Sequence, residues 1–216
     1  MPAKITILQV EDLSFRHDST GSKKLFVDWS TCIPVGITLV CGSEDSGKST
    51  LLRLFAGELT ANTGELIINN ISLRHQHQAY KQAVFWANPR NETFDQLTLS
   101  AYFESQKRNY ASFDDALLAD LIDGLSLTEH LHKNIYMMSA GSKRKVWLAA
   151  AFASGAAVTL IDEPFAALDM ASIGFVKRLL SEAADHSSRA WVIADYEAPK
   201  GLKLAATVDL DQTSAV

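Results

Sequence analysis

The stretch GSEDSGKST, Gly42 to Thr50, decides how this chain is read. Two glycines, a lysine and a hydroxyl residue at this spacing build a pocket for the phosphates of a nucleoside triphosphate. The apolar run Ile37 to Cys41 before it reads as a buried strand, and Ser49 to Ala56 after it reads as the first turns of a helix, the context the pattern requires. Gly42 and Gly47 can take backbone angles closed to other residues, so the N–H groups of the loop through Ser43, Glu44, Asp45 and Ser46 turn inward toward an anion. The helix that begins here adds about half a unit of positive charge at its N-terminus. Lys48 is placed to reach the β- and γ-phosphates, Ser49 to ligate Mg²⁺ through its hydroxyl, and Thr50 closes the motif.

The bulk of the chain agrees with a soluble enzyme or binding domain. Its 216 residues can bury a sizeable core and are most simply one globular unit with a lobe inserted into it. A hydrophobic content of 47% and a charged content of 21% exclude a disordered protein, and no apolar run approaches the length that crosses a bilayer. The opening MPAKITILQVEDLSF alternates like a strand and lacks the basic-then-apolar form of a signal peptide, so a cytoplasmic chain is expected, any membrane role coming through a partner. Cys32 and Cys41 are expected to be reduced and buried. The net charge of −5 offers no nucleic-acid footprint, and no nucleic-acid partner is expected.

Working outward, the first third is β-rich. Ile5 to Val10, Leu25 to Trp29, Ile37 to Cys41 and Glu65 to Ile68 are short apolar or alternating runs separated by Gly, Ser and Asn clusters. Val84 to Ala87 is another strand, ended by Asn88-Pro89. From Thr98 to Leu131 the spacing is helical: Leu99, Tyr102 and Phe103 start one segment, and Phe113, Leu117, Leu118, Leu121 and Ile122 share a face of another. A third helix covers Lys143 to Phe152. Val158 to Ile161 and Trp191 to Ala194 read as central strands of a parallel sheet, each running into an acidic residue at the end where ligands of such sheets collect.

The second motif is VTLIDEPFAALD, Val158 to Asp169. It puts Asp162 at the end of a buried strand and Glu163 next to it. Asp162 suits the Mg²⁺ shell; Glu163 suits the task of orienting and deprotonating a water that attacks the γ-phosphate, a general-base contribution of about 10²- to 10⁴-fold. A P-loop kinase is disfavoured, because a phosphate acceptor is not met by a water-activating glutamate directly after the metal aspartate.

With these residues in hand, the chain resembles the ATP-binding cassette (ABC) ATPases over nearly its whole length. LLRLFAGELTANTGELIINN is similar to the segment after the phosphate loop in that family, DEPFAALD resembles its Asp-Glu-Pro and D-loop stretch with Asp169 as the D-loop aspartate, and MSAGSKRKVWLAAAFASGAAVTLIDEP resembles its signature helix and the strand that follows. In that signature Ser139 and Gly141 persist, while Met138, Ala140 and Ser142 replace the more usual Leu, Gly and Gln. The resemblance implies an α/β P-loop NTPase fold of ABC type, with a parallel sheet core, an N-terminal antiparallel β lobe and an inserted helical lobe. The core and β lobe would span about 1–87 and 151–216, and the helical lobe about 88–150. It implies ATP and Mg²⁺ as cofactors, and a head-to-tail homodimer or heterodimer in which Ser139 and Gly141 close over the partner's nucleotide. It also implies transmembrane subunits as partners, holding the chain at the inner face of the membrane. The compact length and the Ser-Ala-Gly signature look like the small cassettes of cytochrome c maturation and haem export.

Two positions depart from the family pattern. Asn88 stands where the Q-loop glutamine is usual, a shorter amide. Tyr196, in WVIADYE, stands where the switch histidine is usual; a phenol donates one hydrogen bond but does not readily carry positive charge at neutral pH. Losing one well-aimed donor to developing charge costs about 10²- to 10³-fold in rate. ATP binding with slow or partner-dependent hydrolysis is therefore expected, the competing reading being an ATP-responsive interaction cassette. His17 is in the best register to stack on adenine, with Phe15 as the alternative. Lys143, Arg144 and Lys145 read as a solvated helix face, and Trp86, Trp147 and Trp191 as core packing; His75 and His77 lie on the same side if their segment is extended, which would suit a metal, but no third ligand is near them in sequence.

Overall fold

The computed structural model describes residues 5–17, 25–88 and 91–213. Four strands form an antiparallel sheet in the order β2-β1-β4-β5, where β1 is Thr6–Phe15, β2 Phe26–Pro34, β4 Thr63–Ile68 and β5 Ile71–Ser72. Five form a parallel sheet in the order β6-β7-β8-β3-β9, with β3 at Gly36–Cys41, β6 at Val84–Ala87, β7 at Val158–Asp162, β8 at Ala190–Ala194 and β9 at Ala206–Asp209. The helices are α1 (Lys48–Phe55), α2 (His77–Ala83), α3 (Leu99–Asn109), α4 (Asp115–Gly124), α5 (Ala140–Ala153), α6 (Met170–Ala184) and α7 (Leu210–Thr213). This is the α/β P-loop architecture that the sequence implies.

The parallel sheet is buried on both faces, which is why its strands are almost continuously apolar. Side chains alternate between faces with period two. Ile37, Leu39, Phe85, Ile161, Trp191 and Ile193 enter one core with α3, α4, α5 and α6. Val40, Val84, Val158, Leu160, Val192 and Ala194 enter a second core, between the sheet, α1 and the antiparallel strands. One register detail positions everything that follows. Ala194 at the end of β8 is paired with Val40 on one side and Asp162 on the other, so the carboxyl ends of β3, β8 and β7 lie level and adjacent.

Several elements were silent in the sequence. His77 begins α2, so the extended segment that would set His75 and His77 on one side is not formed; the helix is held by the buried Tyr80, whose hydroxyl donates to the Phe55 carbonyl at 2.8 Å. No group of three metal-ligating side chains occurs among the described residues. The cysteines are free but not buried as expected, Cys32 lying exposed on β2 and Cys41 partly exposed at the end of β3. Trp147 and Trp191 are core residues and Trp86 is partly exposed, and the indole N–H groups of all three lack a hydrogen-bond partner among the described residues.

Leu160 is 0% exposed in the central β7, whereas Met170 is 82% exposed. Leu160→Ala is expected to lower unfolding free energy by about 2–5 kcal/mol. Met170→Ala should change it by less than about 0.5 kcal/mol. Urea denaturation of the two variants checks the contrast.

Candidate nucleotide-binding and catalytic site

The phosphate loop joins β3 to α1. Gly47 caps α1 with φ 98°, and a Cβ there would stand 2.7 Å from a methyl of Leu25; a Cβ on Gly42 would stand 2.6 Å from the Ser46 hydroxyl. Only glycine lets the chain turn this tightly against Leu25, the residue before β2. Lys48 opens the helix and is buried, its Nζ donating to the carbonyls of Gly42 at 2.8 Å and Ser43 at 2.7 Å. The ammonium is thus curled back into the loop it defines. Ser43 is tied from outside, its N–H and hydroxyl donating to the Asp211 carboxylate of α7. Glu44 and Asp45 are exposed, and Thr50 is partly buried.

These residues fit a magnesium-bound triphosphate on independent grounds. The Ser46 hydroxyl is buried and has no partner among the described residues, a vacancy that a phosphate oxygen would fill. Ser49 Oγ donates to Asp162 Oδ2 at 2.6 Å, so a hydroxyl and a carboxylate of the kind that hold Mg²⁺ already meet across 113 positions of sequence. The first-turn N–H groups of α1 are left without helical acceptors, as at any helix start.

Glu163 follows Asp162 in a left-handed conformation, φ 48°. Such a backbone costs a residue with a side chain about 1–3 kcal/mol and persists only when its surroundings enforce it. Here its N–H donates to the Ala194 carbonyl at 2.8 Å. Tyr196 lies two residues past β8 and is 57% exposed, and its ring covers Lys48, with Nζ 4.4 Å from the centroid. Asp195 anchors that turn by donating its N–H to the Val40 carbonyl and accepting from the Tyr196 N–H. Asn88 continues β6 at the level of Asp162, because Ala87 pairs with Ile161. It lines a cavity of about 240 Å³ with Trp86, Asn91, Phe94, Tyr102 and Trp147.

On α5, Ser139 is the N-cap, accepting from the Ser142 N–H at 3.1 Å. Gly141 approaches the loop after β7 so closely that a Cβ would lie 2.5 Å from the Ala167 carbonyl oxygen. Asp169 caps α6, accepting from the N–H and hydroxyl of Ser172, and also from Lys145 Nζ at 2.6 Å. His17 is exposed at the end of β1, edge-on to Phe15 at 5.0 Å. Phe15 itself is buried in the core, which removes it as an adenine contact.

The profile of the family described as ABC transporter matches residues 30–166. The chain belongs to the ABC transporter family, as an ATP-binding subunit. It is 30% identical over 87% of its length to the cytochrome c biogenesis ATP-binding export protein CcmA of Saccharophagus degradans, of which 87% is covered. It is 28% identical over 74% of its length to the petrobactin import ATP-binding protein FpuD of Bacillus anthracis, of which the chain spans 62%. A solved ATP-binding subunit of an ABC transporter superposes with a TM-score of 0.77 at 22% identity, covering 88% of this chain and 79% of that one.

Within this ABC cassette the phosphate loop, Asp162, Glu163 and Tyr196 come together on adjacent strand ends. Ser139 and Gly141 do not join them in the same chain: the Ser139 hydroxyl hydrogen-bonds to Ser142, and the close neighbour of Gly141 is Ala167. The expected solvated face of Lys143, Arg144 and Lys145 is a correction. All three are partly buried and bonded: Lys143 to Asp95 at 3.0 Å, Lys145 to Asp169, and Arg144 Nη1 to the carbonyls of Asp162 at 2.8 Å and Glu163 at 2.6 Å. Burial pulls the Arg144 pKa down while the charges of Glu163 and Asp162 push it back up. Arg144 and Asp211 are the site neighbours that sequence reasoning missed. Each contact spans many residues and leaves no local pattern.

The hydrogen bond from Lys145, then those from the Ser172 N–H and hydroxyl, hold the Asp169 carboxyl well below its usual range. A depressed carboxylate contributes stability that is complete above the unfolded value of 3.8 and is lost as pH falls below it. Asp169→Asn should therefore flatten the loss of stability over roughly pH 4 to pH 2, modestly, since the pair is exposed to solvent screening. Unfolding midpoints measured across that range at two salt concentrations test it, the difference shrinking at high salt.

Proposed function

We propose that this chain is the hydrolytic subunit that couples ATP turnover to separate membrane subunits, with Glu163 as the water-activating base and Tyr196 in the place of the usual histidine. The observation that carries this is the level alignment at Ala194, which sets the Lys48 loop, the Asp162–Glu163 pair and Tyr196 on three neighbouring strands. Lys48, Ser46 and the loop amides would grip the β- and γ-phosphates, and His17 would lie against the base. Ser49 and Asp162 would hold Mg²⁺, which neutralises charge on the phosphates when bound. Glu163 would take the proton of the attacking water, in line with the γ-phosphate.

Slow hydrolysis in the isolated subunit belongs to the same proposal. Tyr196 meets the Lys48 ammonium with its ring face, a cation–π contact, and offers a phenol hydroxyl in place of an imidazole where charge develops. Dimer closure is supported by what one chain leaves open. Ser139, Met137, Tyr136 and Met170 are exposed around the start of α5 and α6, a surface suited to a second cassette whose nucleotide Ser139, Gly141 and Asp169 would complete. The cavity beside Asn88, with the unpartnered indole N–H groups of Trp86 and Trp147, is where a membrane subunit would dock. No described helix is long and apolar enough to cross a membrane; attachment at the inner face of the membrane would come through those membrane subunits.

Turnover of labelled ATP tests the chemistry. Glu163→Gln should lower the rate by about 10²- to 10⁴-fold while trapping an ATP-bound dimer. In the same assay Tyr196→His should raise the isolated subunit's rate by about tenfold or more, approaching what one aimed donor contributes. A Glu163→Gln variant as active as the wild type would overturn the assignment. For the partner, a photo-cross-linker at Asn91 in the cavity should capture a multi-spanning membrane protein, and one at the remote Lys203 should not; capture of soluble proteins only would refute docking there.

A further inference from the structure

The central cation of α5 does something its neighbours do not. Lys143 and Lys145 end on carboxylates, those of Asp95 and Asp169, whereas Arg144 ends on backbone. Its Nη1 bridges two successive carbonyls, of Asp162 and Glu163, 18 and 19 residues away in sequence. Between those carbonyls stands the one residue proposed to activate water.

The conformation of that residue is contrary to its local sequence. Proline at 164 disfavours helical-type backbone in the preceding residue and pushes it toward extended angles. Glu163 nonetheless has φ 48°. The two backbone angles of any residue are set by the peptide planes on either side of its Cα. Both planes are held here. The plane between Asp162 and Glu163 is pinned at its N–H by the Ala194 carbonyl, 2.8 Å away, and at its carbonyl by Arg144. The plane between Glu163 and Pro164 has no N–H to offer, so its carbonyl is the only handle, and Arg144 holds it at 2.6 Å, with the Ala166 N–H at 3.1 Å. A guanidinium is suited to the task because it stays charged in a half-buried place and presents several donors in a rigid fork.

We infer that Arg144 is a positioning residue for hydrolysis, clamping both peptide planes around Glu163 so that its carboxylate is aimed at the attacking water, and tying that aim to the signature helix. The inference rests on the proposed role of Glu163 and deepens it. Its hydrogen bonds end on the backbone carbonyls of Asp162 and Glu163, and none reaches the nucleotide loop or the side chains proposed to hold the metal.

The test is single-turnover hydrolysis of labelled ATP with Mg²⁺ by the full chain, beside the Kd for ATP measured calorimetrically. Arg144→Met keeps the aliphatic bulk and removes the donors. It should lower the single-turnover rate by about ten- to a hundredfold, the scale of a small misplacement of a reacting group, with Kd changed less than twofold. Arg144→Lys, which keeps charge and a donor, should recover most of the rate and also serves if the methionine variant fails to fold. In a Glu163→Gln background Arg144→Met should cost nothing further in rate. A wild-type rate for Arg144→Met beside an inactive Glu163→Gln overturns the positioning role alone. Loss of ATP affinity by the same factor as the rate overturns it too, as a general structural effect. A wild-type rate for Glu163→Gln removes the proposed base and this inference with it.

Discussion

The structure depends on β8 being paired on both sides. One strand, Ala190–Ala194, is hydrogen-bonded in parallel to β3 and to β7, and its last residue faces Val40 and Asp162 at once. Parallel strands all present their carboxyl ends to the same edge, so two motifs more than a hundred residues apart are delivered to one line. The Ala194 carbonyl then accepts the Glu163 N–H, and the next residue, Asp195, donates to the Val40 carbonyl. Those two hydrogen bonds lock the loops as the ladder locks the strands. A slip of one residue would turn Leu160, Ile161, Val192 and Ile193 to the wrong cores, and this gives the alignment its energetic force.

On that edge the charges are arranged in opposition. Lys48 is a buried cation neutralised by no carboxylate in its own hydrogen bonds; it rests on two carbonyls and on the π face of Tyr196. Across the crevice Asp162 binds Ser49, and Arg144 backs the Asp162–Glu163 turn from behind. An anion arriving between them gains the lysine and the loop donors without displacing an internal ion pair. A buried ammonium without a carboxylate partner is costly to hold, and an arriving anion relieves that cost, which strengthens its binding.

Much of this was legible from the chain alone because the signals were local. GSEDSGKST carries its own geometry: glycine at 42 answers to Ser46 within the same loop, although the Leu25 side chain beside Gly47 comes from a distant part of the chain. Strands β3, β6, β7 and β8 showed as apolar runs because both their faces are covered. Helix α6 carries a comparable local signal, with Ile173, Val176, Leu179, Leu180 and Ala183 at helical spacing behind the cap Asp169. Helix α2 was not readable. Its seven residues carry a single buried side chain, Tyr80, and its reason to exist is the hydrogen bond to the end of α1.

The sequence by itself determined the residue types on which the chemistry is proposed to rest: a glycine-rich phosphate-loop pattern, an aspartate at a strand end with a glutamate beside it, and a tyrosine and an asparagine at two positions where the family pattern has other side chains. Those are properties of residue type and short spacing. Tertiary structure alone decided what the side chains answer to. It placed the Tyr196 ring on Lys48, set Asp211 on Ser43, kept Gly141 for the approach of Ala167, and turned a run of three cations into three different anchors. The reason is distance along the chain: each of these contacts joins segments with no common periodicity, and only the packing of α5, α6 and α7 against the two sides of one sheet brings them within a hydrogen bond of each other.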